Sequence, residues 1–567
     1  MSGHVFVVGA DLTRLSCDDV LVPTGRTLRV AASWRDLLPA DLVADEDEQG
    51  VCVDLAWSGD ERVLAVPGDG SRQAWLLDTV DDCGRGLDWL LDGAREALAA
   101  VARRRVEAPV HGRARRLVGL PALGTGWGGA AGRRGDLLRQ LLPVLREAAD
   151  EHGFDVALVL RGPSDLAAAQ RIRRGDSTGW DLPDPLRALA EQLGERARRG
   201  QLALFIGAGV SAAAGLPTWE QLLDELAGHS GLDGGLREGL SRLPPQDSAA
   251  LLARELGRER LQDFVQERFG PGPYALAHAL IADLPVQEFV TTNYDPLVEL
   301  AAADIGRDLS VLPYDEARPG RPWLLKLHGD AAHPDSVVLT REEYLQLGDS
   351  RAALAGVLHS LLLTRHVLFV GTSMLDDDLI RIAHQVRSAV QGSDRESRHR
   401  SGTVLALHED AARSRLWEQD VETVAMASGD TPPAEAARRL EVLLDLIGCL
   451  STPPTGYLLD PAYRGMLDAD ERGLAEALQE VAARLPEGTA TTSAAGEVAA
   501  LLRRLGHGRS AGRRDDSADT GPGPTDTGPA DTGPADTGPA DTGPADTGPA
   551  DAASEPRDDR LQSQRPG

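Results

Sequence analysis

Lysine is nearly missing from this chain. Of its 59 basic residues, 58 are arginines and one is a lysine, Lys326. A codon bias that swaps lysine for arginine wherever the physics permits explains the depletion. Lys326 is then either a chance survivor or a position that a guanidinium does not serve. Positive charge is short as well: 88 acidic residues give a formal charge of −29, which argues against a protein that coats phosphate backbones. Aromatics amount to only 4% of the chain. The cysteines, Cys17, Cys52, Cys83 and Cys449, lie far apart and include no Cys-x-x-Cys pair, which excludes a ribbon-type zinc site and a disulfide framework. No apolar run approaches the ~18 residues of a membrane span. The first residues, Met-Ser-Gly-His-Val-Phe, lack the basic segment of a secretory signal. The expectation is a cytoplasmic protein with neither membrane nor nucleic acid as partner.

At ~100–200 residues per domain, the length predicts two to four domains. The clearest boundary is the last one. Residues 511–567 are dominated by a Gly-Pro-Ala-Asp-Thr pentad and carry 5 arginines against 12 acids, a net of −7. With little to bury and many prolines, this tail is expected to be disordered. A turn-rich stretch, Gly175–Pro185, separates an N-terminal unit (1–174) from a middle unit (186–428). In the first, apolar runs at Val5–Val8, Val20–Val22, Leu117–Leu120 and Val156–Leu160 read as buried strands, and Leu87–Arg103 and Leu137–Ala149 as helices. In the second, strand-like runs occur at Leu202–Ile206, Glu288–Thr292, Trp323–Leu327, Val367–Val370, Thr403–Leu407 and Val421–Ala425. The stretch 221–284 shows only helical periodicity and reads as an inserted helical module. Residues 432–506 follow as amphipathic helices. The fold class is α/β, with a doubly wound parallel sheet in the middle unit.

The sharpest local signal runs from Leu204 to Trp219. A hydrophobic strand enters Gly207-Ala208-Gly209-Val210-Ser211 and then a small-residue helix start. Such glycines let a backbone approach a diphosphate, helped by the helix N-terminus and the Ser211 hydroxyl. A tight strand–helix turn with purely structural glycines reads the same. Three more segments follow: Thr291-Thr292-Asn293-Tyr294-Asp295, Lys326-Leu327-His328-Gly329-Asp330 and Gly371-Thr372-Ser373. Each sits at the C-terminal end of a predicted strand, where open parallel sheets place their ligands. In this order the four segments resemble the sirtuin family, specifically its zinc-lacking bacterial branch, over about Leu186 to Ala427. The resemblance implies an NAD-binding sheet with a small second module. It assigns the diphosphate to Gly207, Ala208, Gly209 and Ser211, the nicotinamide ribose or a water to Asn293, the general base to His328, and the adenosine half to Gly371, Thr372 and Ser373; it also counts Thr292 and Asp295 as cofactor-binding, Asp295 helping to hold its loop. An imidazole, with an ordinary pKa of ~6.5, suits proton removal near neutrality. Without the resemblance, Asn293 and Asp295 read as turn and cap residues and His328 as a structural histidine. Lys326, two residues before His328, is expected on the same strand face and near the site. Asp376-Asp377-Asp378 read as a helix cap or as ligand contacts.

Two departures point away from acyl-lysine chemistry. The insert lacks cysteine, so no zinc is expected, and Leu-Pro-Thr-Trp after Gly215 lacks the arginine usual in deacylases. Zinc-lacking relatives are frequently NAD hydrolases that deplete NAD in defence against phage. The expected function is therefore cleavage of NAD to nicotinamide and ADP-ribose, linear or cyclic. An NAD-dependent deacylase or ADP-ribosyltransferase is the second reading, and a catalytically silent nucleotide sensor or scaffold the third. In the N-terminal unit, the Val5–Thr24 stretch and Gly124-Thr125-Gly126-Trp127-Gly128-Gly129 together resemble the macro-domain family, which binds ADP-ribose. That resemblance places Asp11 against adenine and Gly124, Thr125 and Gly126 at a diphosphate; a glycine-rich structural turn is the competing account. The expected partners are thus NAD, an ADP-ribose-type ligand, an unidentified activating trigger and further copies of the chain.

Overall fold

The computed structural model describes residues 2–508, except 48–49, 69–71, 82–83, 127–128, 177–178, 345–351, 374–376, 391–400 and 486–492. The pentad tail lies outside the described residues.

Two parallel sheets organise the chain. The first comprises β1 (Val5–Val8), β2 (Asp19–Thr24), β6 (Val63–Ala65), β7 (Gln73–Asp78), β8 (Leu117–Pro121) and β9 (Asp155–Val159). Its order is β1-β9-β8-β2-β7-β6, and β6 alone runs antiparallel. A small antiparallel sheet of β3 (Arg29–Val30), β4 (Val43–Asp47) and β5 (Gly50–Val53) interrupts it. The second sheet comprises β10 (Leu202–Ile206), β11 (Glu288–Thr291), β12 (Ser310–Leu312), β13 (Trp323–Lys326), β14 (His366–Val370), β15 (Gly402–His408) and β16 (Val421–Ala427). It is wholly parallel, in the order β12-β13-β11-β10-β14-β15-β16. The inner strands are continuous apolar runs because helices cover both faces: Leu202–Ile206 is buried at every position. The edge strand β12, only three residues long, carries no sequence signal.

Between β10 and β11 lie the helices Trp219–His229, Gly234–Leu240, Pro245–Leu256, Arg258–Arg268 and Leu276–Asp283. As the periodicity predicts, no strand interrupts them. The first four have their own core, including Leu222, Leu226, Leu252 and Phe269, which closes onto Tyr294, Ala331 and Leu339 beside the strand-end motifs.

The helices after Pro432 turn back on the first sheet. The Pro433–Ser451 helix packs against β1 and the Pro163–Arg174 helix on one side, and against β15, β16 and the Asp184–Arg198 helix on the other. One apolar core accordingly holds Phe6 and Val8 together with Leu204, Ile206 and Leu443. Tyr457, Leu459 and Tyr463 join the opposite face of the first sheet.

Buried ion pairs fix the Pro433–Ser451 helix. Arg438 grips Asp155 (2.7 and 2.8 Å), Arg113 reaches Glu441 (2.7 Å), and Asp445 takes Arg173 (2.5 and 2.9 Å) and His4 (2.8 Å). Burial alone would raise the Asp445 carboxyl, but Arg173 and His4 outweigh it and hold it below the usual carboxylate range. A depressed carboxylate stabilises the fold above its unfolded pKa of ~3.9 and loses that contribution as pH falls through its folded value. Asp445→Asn is therefore expected to cost ~3–5 kcal/mol at neutral pH, because Arg173 stays buried without its partner. The variant should also lose part of the acid dependence below about pH 4. Thermal midpoints from pH 3 to 7 measure both, and curves that superimpose on the parent would contradict the assignment.

Candidate functional site

The register of the second sheet assembles the site. Ile206 pairs with Thr291 on one side and Val370 on the other, and Thr291 pairs with Lys326. These four residues form one row, each the last of its strand, and the four motifs begin at or immediately beyond it. The strand order reverses at β10, with β11–β13 on one side and β14–β16 on the other. A doubly wound sheet has its ligand crevice at such a switch point.

Three glycines bring two of the exit loops into backbone contact. The Gly207 amide donates to the Val370 carbonyl (2.9 Å), and the Gly209 amide to the Gly371 carbonyl (2.8 Å). A Cβ on Gly207 or Gly209 would lie 2.6 or 2.8 Å from the Gly371 oxygen, and Gly371 itself has φ of +69°. Loop packing thus accounts for all three glycines without a ligand. Ala208 and Gly209 lie where a short helix, Ala208–Ala212, begins. Thr292 and Thr372 are half-buried; Ser373 is exposed, and its carbonyl accepts from Arg413 Nη1 (2.9 Å). Asp376 lies outside the described residues.

Asn293 is buried, and its amide orientation is fixed. Nδ2 donates to the Gly207 carbonyl (3.2 Å) and to Ser211 Oγ (2.9 Å), while its backbone amide donates to Thr291 Oγ1 (3.0 Å). With the amino group turned inward, Oδ1 is left buried with no hydrogen-bond partner among the described residues. Such an orphan acceptor costs ~1–3 kcal/mol unless a ligand or water satisfies it.

Ser211 is turned into the protein. The side chain is 2% exposed, and Oγ donates to Asp295 Oδ2 (2.8 Å) while receiving Asn293. His278, which sequence reasoning misses, completes this cluster. The Ala275 amide donates to its Nδ1 (3.2 Å), so Nε2 carries the proton and faces Ser211 Oγ at 3.4 Å. Burial pushes the His278 pKa down to about 4, with Asp295 opposing, so the ring is neutral at pH 7. A signal for it exists: His278 is the lone polar side chain inside Leu276–Ile281.

Lys326 and His328 do not share a strand face. The strand stops at Lys326, and His328 lies in the turn beyond it, so alternation does not relate them. Lys326 is wholly buried and binds Glu299 (2.8 Å), Asp330 (2.9 Å) and the carbonyls of Asp295 (2.9 Å) and Tyr294 (3.2 Å). It ties the Asn293 loop to the His328 loop. Burial opposes its charge, but Glu299 and Asp330 prevail and raise its pKa. Burial also raises Glu299, to about 7, with Lys326 opposing. His328 itself is buried beneath Tyr344, whose ring lies edge-on at 5.1 Å and whose hydroxyl is 3.4 Å from Nδ1.

In the N-terminal unit, Asp11 and the Gly124–Gly126 loop follow β1 and β8, the two neighbours of β9, at the same end of the first sheet. Asp11 Oδ1 accepts from the amide (2.9 Å) and hydroxyl (2.7 Å) of Thr13, and Oδ2 pairs with Arg161. Gly124 has φ of +70°, Thr125 donates to the Ala122 carbonyl (2.9 Å), and Gly126 is exposed. Trp127 and Gly128 lie outside the described residues.

Among the described residues, no helix is long and apolar enough to cross a membrane. Residues 287–425 match the SIR2-like domain family. That match spans three of the four strand-end motifs and begins after the glycine-rich loop. A protein named NAD(+) hydrolase ThsA, from Cytobacillus dafuensis, is 32% identical over 198 residues, covering 34% of this chain and 39% of the relative. Its namesake in Enterococcus faecium is 30% identical over 218 residues, covering 37% and 45%. Defense-associated sirtuin 2 of Bacillus subtilis is 27% identical over 216 residues, covering 36% and 21%. The chain thus spans less than half the length of these relatives. Residues 287–425, which carry three of the strand-end motifs, are thus similar to the SIR2-like domain family.

Proposed function

We propose that this chain hydrolyses NAD, releasing nicotinamide and ADP-ribose. The observation that carries the reading is the buried, unpartnered Oδ1 of Asn293 at the switch point, two residues beyond Thr291. His328 stands two residues beyond Lys326, the register partner of Thr291, on the adjacent strand. Cleaving the nicotinamide–ribose bond builds positive charge on the sugar, as in glycoside hydrolysis. A water held by Asn293 Oδ1 then adds to the anomeric carbon. Its proton passes to the His328 imidazole, and nicotinamide leaves with the bonding pair, so atoms and charge balance. Relatives that carry the name NAD(+) hydrolase support this substrate, and the name defense-associated sirtuin supports a role in defence against phage.

The N-terminal unit is read as a second nucleotide-binding unit for an ADP-ribose-type ligand, on the strand-end placement of Asp11 and Gly124–Gly126. The composition supports a cytoplasmic site of action. A toxic hydrolase also needs a trigger, and self-association is one way to supply it.

The test is direct. Full-length protein incubated with NAD should release nicotinamide and ADP-ribose in equal amounts, resolved by chromatography that separates the cyclic product. No release, under crowded or oligomer-promoting conditions as well, overturns the reading.

A further inference from the structure

The loop leaving β1 crosses to the middle unit and meets one residue, Tyr274, on three sides. The Tyr274 amide donates to the Arg14 carbonyl (3.0 Å), and the Ser16 amide donates to the Tyr274 carbonyl (2.9 Å). The Tyr274 hydroxyl accepts from the Asp11 amide (2.9 Å) and donates to Asp304 Oδ2 (2.9 Å). Arg14 reaches the same carboxylate from the loop (3.0 Å). Tyr274 is wholly buried, whereas the Arg14–Asp304 pair lies at the exposed edge of the contact.

The next residue continues the chain of contacts. The Ala275 amide sets the tautomer of His278, His278 faces Ser211, and Ser211 fixes the Asn293 amide. After the peptide bond from Tyr274 to Ala275, every step is a hydrogen bond between buried groups. The polarity is also determined throughout. With Nδ1 accepting, His278 must present Nε2–H to Ser211 Oγ, whose own proton goes to Asp295. The remaining lone pair of that oxygen receives Asn293 Nδ2, which leaves the buried Oδ1 free of a partner among the described residues.

We propose that Tyr274 is a positioning residue through which the β1 exit loop of the N-terminal unit sets the orientation of Asn293. The Asp11–Arg161 pair stands at the far end of this chain, at the strand ends of the first sheet. A ligand that draws Asp11 away from Arg161 therefore alters the site through Tyr274 without touching it. The kinetic consequence rests on the hydrolase reading; the mechanical coupling does not.

Tyr274→Phe, in the full chain, removes the hydroxyl and keeps the ring in its place. Hydrogen–deuterium exchange should rise not only in residues 9–16 but also in 275–283 and 291–297, with β15 and β16 unchanged. The kcat for nicotinamide release should fall about three- to thirtyfold, with KM held within about twofold, as befits a residue that touches no substrate. Asp304→Ala removes the hydroxyl's acceptor and should act alike, which covers the case of a Tyr274→Phe chain that does not fold. Exchange confined to residues 9–16, or a lowered thermal midpoint with kcat unchanged, overturns the coupling. If the parent protein releases no nicotinamide, the hydrolase reading falls and the exchange pattern still decides the coupling.

Discussion

Asn293→Ala is expected to reduce kcat for nicotinamide release by ~10²–10³-fold, the usual loss when one preorganised polar group at a reacting centre is removed. The substitution deletes the acceptor at Oδ1 and also frees Ser211 Oγ and the Gly207 carbonyl from their donor. His328→Ala should cost ~10²–10⁴-fold, the range for a general base. The two variants differ in a second measurement. Asn293 joins β10 to the β11 exit, so its loss should lower the thermal midpoint. The hydrogen bond between His328 and Tyr344 is long, at 3.4 Å, and its loss should lower the midpoint less. Activity within threefold of the parent in both variants would remove these residues from the chemistry. Because catalytic groups acting as a unit are not additive, the double variant should be little worse than the poorer single one.

Lys326→Met is expected to destabilise the protein by ~3–5 kcal/mol, the cost of removing one partner from a buried ion pair. Methionine fills much of the same volume, so the loss is electrostatic. Glu299 and Asp330 would lose their counterion, and the carbonyls of Tyr294 and Asp295 their donor. Adding Glu299→Gln to Lys326→Met should recover part of the loss by removing one unpaired carboxylate. Lys326→Arg should also lower both stability and NAD turnover, because a planar fork cannot converge on acceptors arranged around a compact ammonium. Thermal midpoints and nicotinamide release measure these effects. A Lys326→Arg protein indistinguishable from the parent would make the single lysine an accident of codon usage.

The sequence discloses the strand ends of the site and conceals what joins them. Runs such as Leu202–Ile206 and Val367–Val370 are apolar because both faces of the sheet are covered, and glycine marks where each run stops. Those signals are local. The row of Ile206, Thr291, Lys326 and Val370 is a property of register between strands far apart in sequence, which no local pattern encodes. Lys326 stands out by composition, yet alternation misplaces it, since the strand ends too soon for the rule to reach His328. Ser211 reads as facing a ligand because its loop resembles one that binds phosphate; its partner His278 lies 67 residues away on another element. The Pro433–Ser451 helix is legible as amphipathic, but amphipathicity does not name the surface it covers.

That same helix bears on how the protein is made. The ribosome releases the first sheet early, yet part of its apolar cover is encoded after residue 432. At ~5–20 residues per second, the intervening synthesis takes on the order of tens of seconds. During that interval Phe6, Val8 and their neighbours lack a permanent cover, while Arg113, Asp155 and Arg173 await their partners. Nascent chains arrested before the helix emerges should therefore be the most chaperone-dependent, and the first unit completes its fold only after the second has been translated.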